Sequence, residues 1–353
     1  MVRIDRDPFG TLPDGRQVER LTLVNARGMT VGLISYGAAI QSLLVPDRAG
    51  RFADVTLGHG TLRPYLDQPQ YFGATVGRVA NRIAGGRFEI DGHIYRVPAN
   101  HCGNALHGGP EGFDKRNWTV AAVEADAVTF ALTSPDGDQG FPGTLRVTAR
   151  YALSEDDVLT LDYVARTDRP TIVNLSNHAY WNLAGEGSAG GAMDHVLTIP
   201  ADHYLPTDEE AIPTGELRPV DGTPFDFRTP RAVAGGVRDA SDAQIRIGRG
   251  YDHNMVVDRA PAAEPRLLAR VEDPGSGRAM ELLSTAPGVQ FYSGNVLDGT
   301  SAGKSGRLYR QGDSVVLEPQ MFPDTANRPH FGSIRLDPGD TYRHRILWRF
   351  SAR

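Results

Sequence analysis

The chain has 353 residues, more than the ~250 at which compact domains usually stop growing, so length allows two domains or one enlarged unit. Lys and Arg number 37 against 43 Asp and Glu, a net charge of −6 with no run of five like charges; the basic face that non-specific binding to nucleic acid or anionic membrane requires is missing. One cysteine, Cys102, excludes an intramolecular disulfide framework and any cysteine cage for zinc or an iron–sulfur cluster.

In chain order, the opening MVRIDRDPFGTL lacks a basic-then-apolar layout, so no secretory leader is expected and a cytoplasmic protein is the default. Strands are expected at 21–24, 30–34 and 40–45. The most apolar window, 31–45, is broken by Ser35, Gln41 and Ser42 and closed by Pro46, so it is too short and too polar to span a bilayer. Another strand is expected at 127–132. Residues 145–153 and 158–165 alternate apolar and polar around a turn at 154–157, which predicts a hairpin. A strand at 195–199 and a helical turn near 231–235 follow. A second hairpin pairs 266–272 with 279–284 across Asp273-Pro-Gly-Ser-Gly277, and 288–292, 315–318 and 341–350 complete the set.

No twelve-residue stretch sustains a helical period with good caps, and no repeat is visible. The stretches 186–191 and 260–265 are too short to be linkers. The 40 glycines and 24 prolines exceed the usual ~12% share and imply many short elements. The expectation is all-β: a large, mostly antiparallel sandwich with few short helices and no internal boundary across residues 1–353.

Several cofactor motifs fail. Gly185-Glu-Gly187-Ser-Ala-Gly190 matches a dinucleotide fingerprint in letters only, because it opens no helix, and Gly299 to Ser305 is one residue short of a phosphate loop. HExxH is missing, and nothing resembles a G-x-S-x-G nucleophile elbow on a strand-to-helix turn. Six polar clusters remain: Gly77-Arg-Val-Ala-Asn81-Arg82; Asn104-Ala-Leu-His107-Gly-Gly109; Asn174-Leu-Ser-Asn-His178-Ala-Tyr-Trp-Asn-Leu183; Gly250-Tyr-Asp252-His253-Asn254; Gly288-Val-Gln290-Phe-Tyr-Ser-Gly-Asn295; and Leu317-Glu318-Pro-Gln320-Met-Phe-Pro-Asp324. Amides, carboxylates and arginine bind hydroxyls, aromatic rings cover the C–H face of a sugar, and glycines admit close backbone approach. Together they have the composition of a neutral polyol site.

These clusters, in this order, closely resemble the aldose 1-epimerase family, also called galactose mutarotases. The likeness runs from Tyr36-Gly37 and Pro46-Asp47 to Phe350 and includes Tyr204-Leu-Pro-Thr-Asp208, Pro213-Thr-Gly215, Pro323-Asp324 and Asn327-Arg-Pro-His330. It implies a large β-sandwich that interconverts the α and β anomers of a free aldose without a cofactor or metal. Glu318 matches the family's general base and His178 the acid that protonates the ring oxygen; an imidazole with a pKa near ~6.5 can hold that proton near neutrality. His107, Arg82, Asn81, Asp252 and Gln290 match sugar-binding positions, and Tyr180 and Trp181 are candidates to cover the sugar. For each there is a plainer reading: a strand-edge glutamate, a loop histidine, a turn aspartate, a structural ion pair for Arg82 or Arg78, core aromatics.

The sequence departs from the family at Trp181, Ala326, Pro319 and Met255, positions expected to alter the pocket wall. His253 and His330 raise the question of a metal, but no two-histidine-plus-carboxylate spacing is sharp. The expected partner is one monosaccharide, with no nucleic acid, membrane or obligatory protein partner. Three alternatives stand beside the main reading. An epimerase of hexose 6-phosphates would draw on Arg78, Arg82 and Arg87, a silent carbohydrate-binding protein would use the same pocket, and a glycosidase would pair Glu318 with Asp252.

Overall fold

The computed structural model describes residues 1–68 and 70–353. The period-two segments form three main antiparallel sheets. The first takes Arg3–Thr11, Gln17–Val24, Thr30–Ile34, Ala39–Pro46 and Phe52–Asp54 in chain order. The second has nine strands; at its centre the hairpin Leu145–Leu153 and Val158–Thr167 lies beside the C-terminal strand Tyr342–Ala352, then Arg278–Ser284 and Arg266–Glu272. The third has six strands, ordered Tyr180–Trp181, Val315–Gln320, Gly288–Tyr292, Asp252–Val256, His203–Leu205 and Arg218–Pro219.

Alternation builds the core. Val147, Ala149 and Tyr151 on one strand, Leu159, Leu161 and Tyr163 on the next, and Ile346, Trp348 and Phe350 on the third all point inward. They pack against Leu21, Val31 and Leu43 of the first sheet and Trp181, Met255, Phe291 and Leu317 of the third in one apolar cluster. Each such side chain contributes about 1.5–3 kcal/mol on burial, so this layer dominates stability. The opposite face of the nine-stranded sheet meets water with paired charges, such as Arg345 on Asp162 at 2.5 Å and Arg150 on Glu124 at 2.6 Å.

Both expected hairpins form, as residues 145–167 and 266–284. The helical turn expected at 231–235 is a short strand, Arg231–Ala232, followed by a single 3-10 turn, Val233–Gly235. Several elements were not anticipated, among them an N-terminal strand and a short helix. Arg3–Thr11 is an edge strand whose exposed charges and bulge near Pro8 discourage further pairing; it buries almost nothing, so it has no apolar alternation to read. The six-residue helix Ala243–Gly248 is started by Asp242, whose carboxylate accepts from the Gln244 and Ile245 amides. The stretch 299–305, expected to be a loop, forms one arm of a hairpin and part of its turn, and the half-buried Lys304 there meets Asp54 at 2.6 Å.

Candidate active site

Strand parity sorts the third sheet into two faces. Gln290 sits opposite Glu318 and Asn254, Tyr292 opposite Val316 and Asp252, and Tyr180 opposite Val316. Tyr180, Glu318, Gln290, Tyr292, Asp252 and Asn254 therefore share one face. Their chain neighbours Trp181, Leu317, Phe291 and Met255 point the other way into the apolar core. This corrects three expectations. Trp181 covers no sugar; it packs 5.8 Å from both Trp348 and Phe350. Met255 is a core residue, and Pro319 lies on the same side of its strand, so neither shapes the pocket wall. Ala326 packs in a separate small cluster with Val79 and Ile334.

Short pairings between loops bring the histidines to that polar face. His178 lies between Ser176–Asn177, which pairs with Thr75–Val76, and Tyr180–Trp181. Its amide donates to the Ala74 carbonyl at 2.9 Å and its carbonyl accepts from Gly73 at 3.0 Å, so the backbone is pinned on both sides. His107 follows Ala105–Leu106, which pairs with Arg82–Ile83. Its amide donates to the Asn81 carbonyl at 3.0 Å, and the Asn81 amide donates to Nδ1 of the His107 ring at 3.1 Å. Gly108 must be glycine: a Cβ there would lie 2.0 Å from the Gly77 carbonyl oxygen. Tyr71, Asn81 and His107 all hold positive φ, at 60°, 62° and 52°. Such strain concentrates at functional sites.

Glu318, His178, His107, Arg82, Asn81, Asp252 and Tyr180 line one cavity with Tyr71, Asn100, His101, Tyr292 and Val296. Its volume is about 230 Å³, below the ~300 Å³ at which drug-sized pockets begin. Nε2 of His178 stands 3.6 Å from a Glu318 carboxylate oxygen. The His178 ring contacts Tyr180, His107 and Tyr71, with ring centres 5.0, 5.3 and 5.5 Å away. Asp252 is held from two sides: Gln290 donates to one oxygen at 2.7 Å, and Arg82 lies 3.5 Å from the other. Gln290 thus stands behind Asp252 rather than in the cavity wall.

Burial controls the charges. It pushes the Glu318 carboxyl well above the carboxylate range, an effect reinforced by Asp252 and opposed by Arg82. It lowers His178 to about 4 and His107 well below the usual imidazole value, the latter helped by His178, Arg82 and His101. Three buried atoms of cavity-lining residues have no partner within the protein: Oε2 of Glu318, Nδ1 of His178 and Nε of Arg82; Oε1 of Gln290 and both amide atoms of Asn254 are unpaired behind them. Buried polar atoms are seldom left unpaired, so those on the cavity wall mark a surface suited to a polar ligand.

His253, His330, Arg78 and Arg87 lie outside the cavity. Nε2 of His253 bonds Gln244 at 3.0 Å among Tyr204 and Phe225, and His330 contacts the Gly215 carbonyl at 3.2 Å. Arg78 is buried on Ser134, Thr171 and the Pro135 and Pro142 carbonyls, and Arg87 is exposed on a separate hairpin. The fold does create a two-histidine-plus-carboxylate group that spacing did not reveal: His107, His178 and Glu318 each offer an atom within 4.8 Å of the others. Tyr71 and His101 were also missed. Nothing local distinguishes Tyr71 from a core aromatic, whereas His101 sits three residues before a recognised cluster.

Residues 19–349 match the family model described as Aldose 1-epimerase. The chain is 45% identical over 351 residues to the galactose mutarotase of Rattus norvegicus, covering 99% of both chains. It is 39% identical over 342 residues to the aldose 1-epimerase of Escherichia coli strain K12, covering 96% of this chain and 97% of that one. The crystal structure of galactose 1-epimerase from Lactobacillus acidophilus NCFM superposes with a TM-score of 0.87 at 27% identity, covering 100% of this chain and 99% of that one.

Proposed function

The chain belongs to the aldose 1-epimerase family and is an isomerase that interconverts the α and β anomers of free aldoses; on that premise we propose that Glu318 and His178 carry the protons. The observation that carries this reading is their proximity, 3.6 Å apart and buried in one monosaccharide-sized cavity. The two reacting oxygens of a pyranose, O1 and O5, are both bonded to C1, so their acid and base must stand close together.

The O1 proton passes to the Glu318 carboxylate as C1=O1 forms and the C1–O5 bond breaks, while O5 takes a proton from the His178 imidazolium. The open-chain aldehyde turns about C1–C2. Closure reverses the transfers: O5–H returns its proton to His178 while attacking the other face of C1, and O1 recovers its proton from Glu318. No proton is gained or lost, and no cofactor is needed. Each transfer contributes roughly 10²–10⁴-fold. Burial disfavours charge on both groups, so the pair shares one proton; sugar hydroxyls donating to Oε2 of Glu318, with Arg82 nearby, favour the carboxylate form. Asp252, oriented by Gln290 and Arg82, accepts from sugar hydroxyls, Asn81 and His107 bind further oxygens, and Tyr71, Tyr180 and Tyr292 cover the ring.

Galactose and glucose are the proposed substrates. Among the described residues lining the cavity, Arg82 is the one arginine or lysine that could meet a 6-phosphate, and that guanidinium already faces Asp252. A glycosidase pair is disfavoured because Asp252 is committed to Gln290 and Arg82. We read residues 1–353 as one catalytic domain acting in the cytoplasm without nucleic acid, membrane or protein partner; no helix among the described residues is long and apolar enough to cross a membrane. Polarimetry tests the reading: α-galactose and α-glucose should equilibrate faster than the spontaneous rate. Acceleration confined to the 6-phosphate would refute it.

A further inference from the structure

The mechanism gives His107 no proton to carry, yet its ring is held with care. One ring nitrogen is committed, because Nδ1 accepts the Asn81 backbone N–H at 3.1 Å. A neutral imidazole has one donor and one acceptor nitrogen, and the bond made by one decides the state of the other. We propose, on the reading of this pocket as an aldose site, that the Asn81 amide locks His107 as the neutral Nε2–H tautomer. His107 is then a fixed hydrogen-bond donor to a sugar oxygen, and the same contact bars His107, His178 and Glu318 from jointly holding a divalent cation.

The competing states all conflict with that amide. An imidazolium would carry a hydrogen on Nδ1, facing the Asn81 N–H, and Arg82, His178 and His101 already oppose positive charge there. A metal on Nε2 would displace its hydrogen to Nδ1, with the same collision. A metal on Nδ1 would have to expel the amide. Two imidazoles and a carboxylate within 4.8 Å are otherwise the donor set of many zinc sites. The Asn81 backbone is therefore a positioning element, acting through His107. Its geometry is specific: the reciprocal bond from the His107 amide closes a two-residue clamp, and both residues adopt positive φ to make it.

Nitrogen-15 NMR of the histidine-labelled, full-length protein reads the state directly. His107 should show a bare Nδ1 and a protonated Nε2, unchanged from about pH 5 to 8, across the range where a free imidazole titrates; the opposite tautomer, or titration in that range, overturns the proposal. His107→Gln places an amide N–H where Nε2–H stood and cannot ionise. Its kcat/KM should stay within about tenfold of wild type while His107→Ala falls about 100-fold or more, the span of one lost preorganised hydrogen-bond donor; glutamine no better than alanine overturns the donor role. Calorimetric titration with Zn²⁺ alone should show no one-to-one binding at micromolar concentration, and stoichiometric uptake abolished by His107→Gln overturns the metal-barring role. The tautomer is read without sugar, so its failure is distinct from failure of the aldose reading, which polarimetry reports.

Discussion

The nine-stranded and six-stranded sheets share an antiparallel ladder and an apolar core, but they treat polar side chains in opposite ways. In the nine-stranded sheet, polar residues alternate outward and pair in water, as Arg345 does with Asp162 and Arg150 with Glu124. In the six-stranded sheet, Val315–Gln320 and Gly288–Tyr292 are buried on both faces, and the face away from the core carries Glu318, Gln290 and Asn254, with atoms unpaired inside the protein. A buried donor or acceptor without a partner costs about 1–3 kcal/mol. The nine-stranded sheet supplies stability; the six-stranded sheet gives some of it up to keep a preorganised polar wall.

Substitutions on the two sheets should therefore fail differently. The largest effect belongs to Glu318→Gln and His178→Asn: mutarotation should drop about 10³-fold or more, near ~4 kcal/mol in barrier, while calorimetry still detects galactose binding. Wild-type rates in either variant would remove that residue from the proton path. Trp348→Ala should do the reverse, destabilising the fold by about 3 kcal/mol or more in denaturant melts with kcat of the folded fraction intact. A kcat loss there would dissolve the division between the sheets. Asp252→Asn should lower kcat/KM by about 10–100-fold, mostly through KM, as expected for a binding carboxylate; a pure kcat loss would make it part of the chemistry.

The pH profile sharpens the same contrast. On the proposed mechanism the Glu318–His178 pair holds one proton. Below about 4 His178 also charges, and at high pH the raised Glu318 carboxyl loses its proton. Between those limits kcat/KM should be level, and an acid limb near the free-imidazole value would contradict the burial. The smallest effect concerns Asp114, a buried carboxyl beside the pocket wall, which desolvation pushes up to about 7. Its folded value lies above its unfolded one, so stability falls as pH rises from about 4 to 7 and stays level at the reduced value above that. Asp114→Asn should then raise the melting temperature at pH 8 and leave it unchanged near pH 3; equal shifts at both would discount the ionisation.

Much of this was written in the chain. Alternation and turn residues give the two long hairpins and the C-terminal strand, because a side-chain period of two reports which residues face an apolar layer. The polar clusters have the composition of a polyol pocket, and their resemblance to the aldose 1-epimerase family implies roles for Glu318, His178, His107, Arg82, Asn81, Asp252 and Gln290. Parity also contains the split between Tyr180 and Trp181, but a strand does not say which of its faces is the core, and only the packing of Trp181 on Trp348 decides it. Arg78 and Arg82 look alike in one motif; their different fates depend on Ser134 and Asp252, far along the chain. The approach of Glu318 to His178, and the single backbone amide that sets the His107 ring, arise from loop pairings between distant segments. Such contacts have no periodic trace in sequence because closing them is a property of the whole fold.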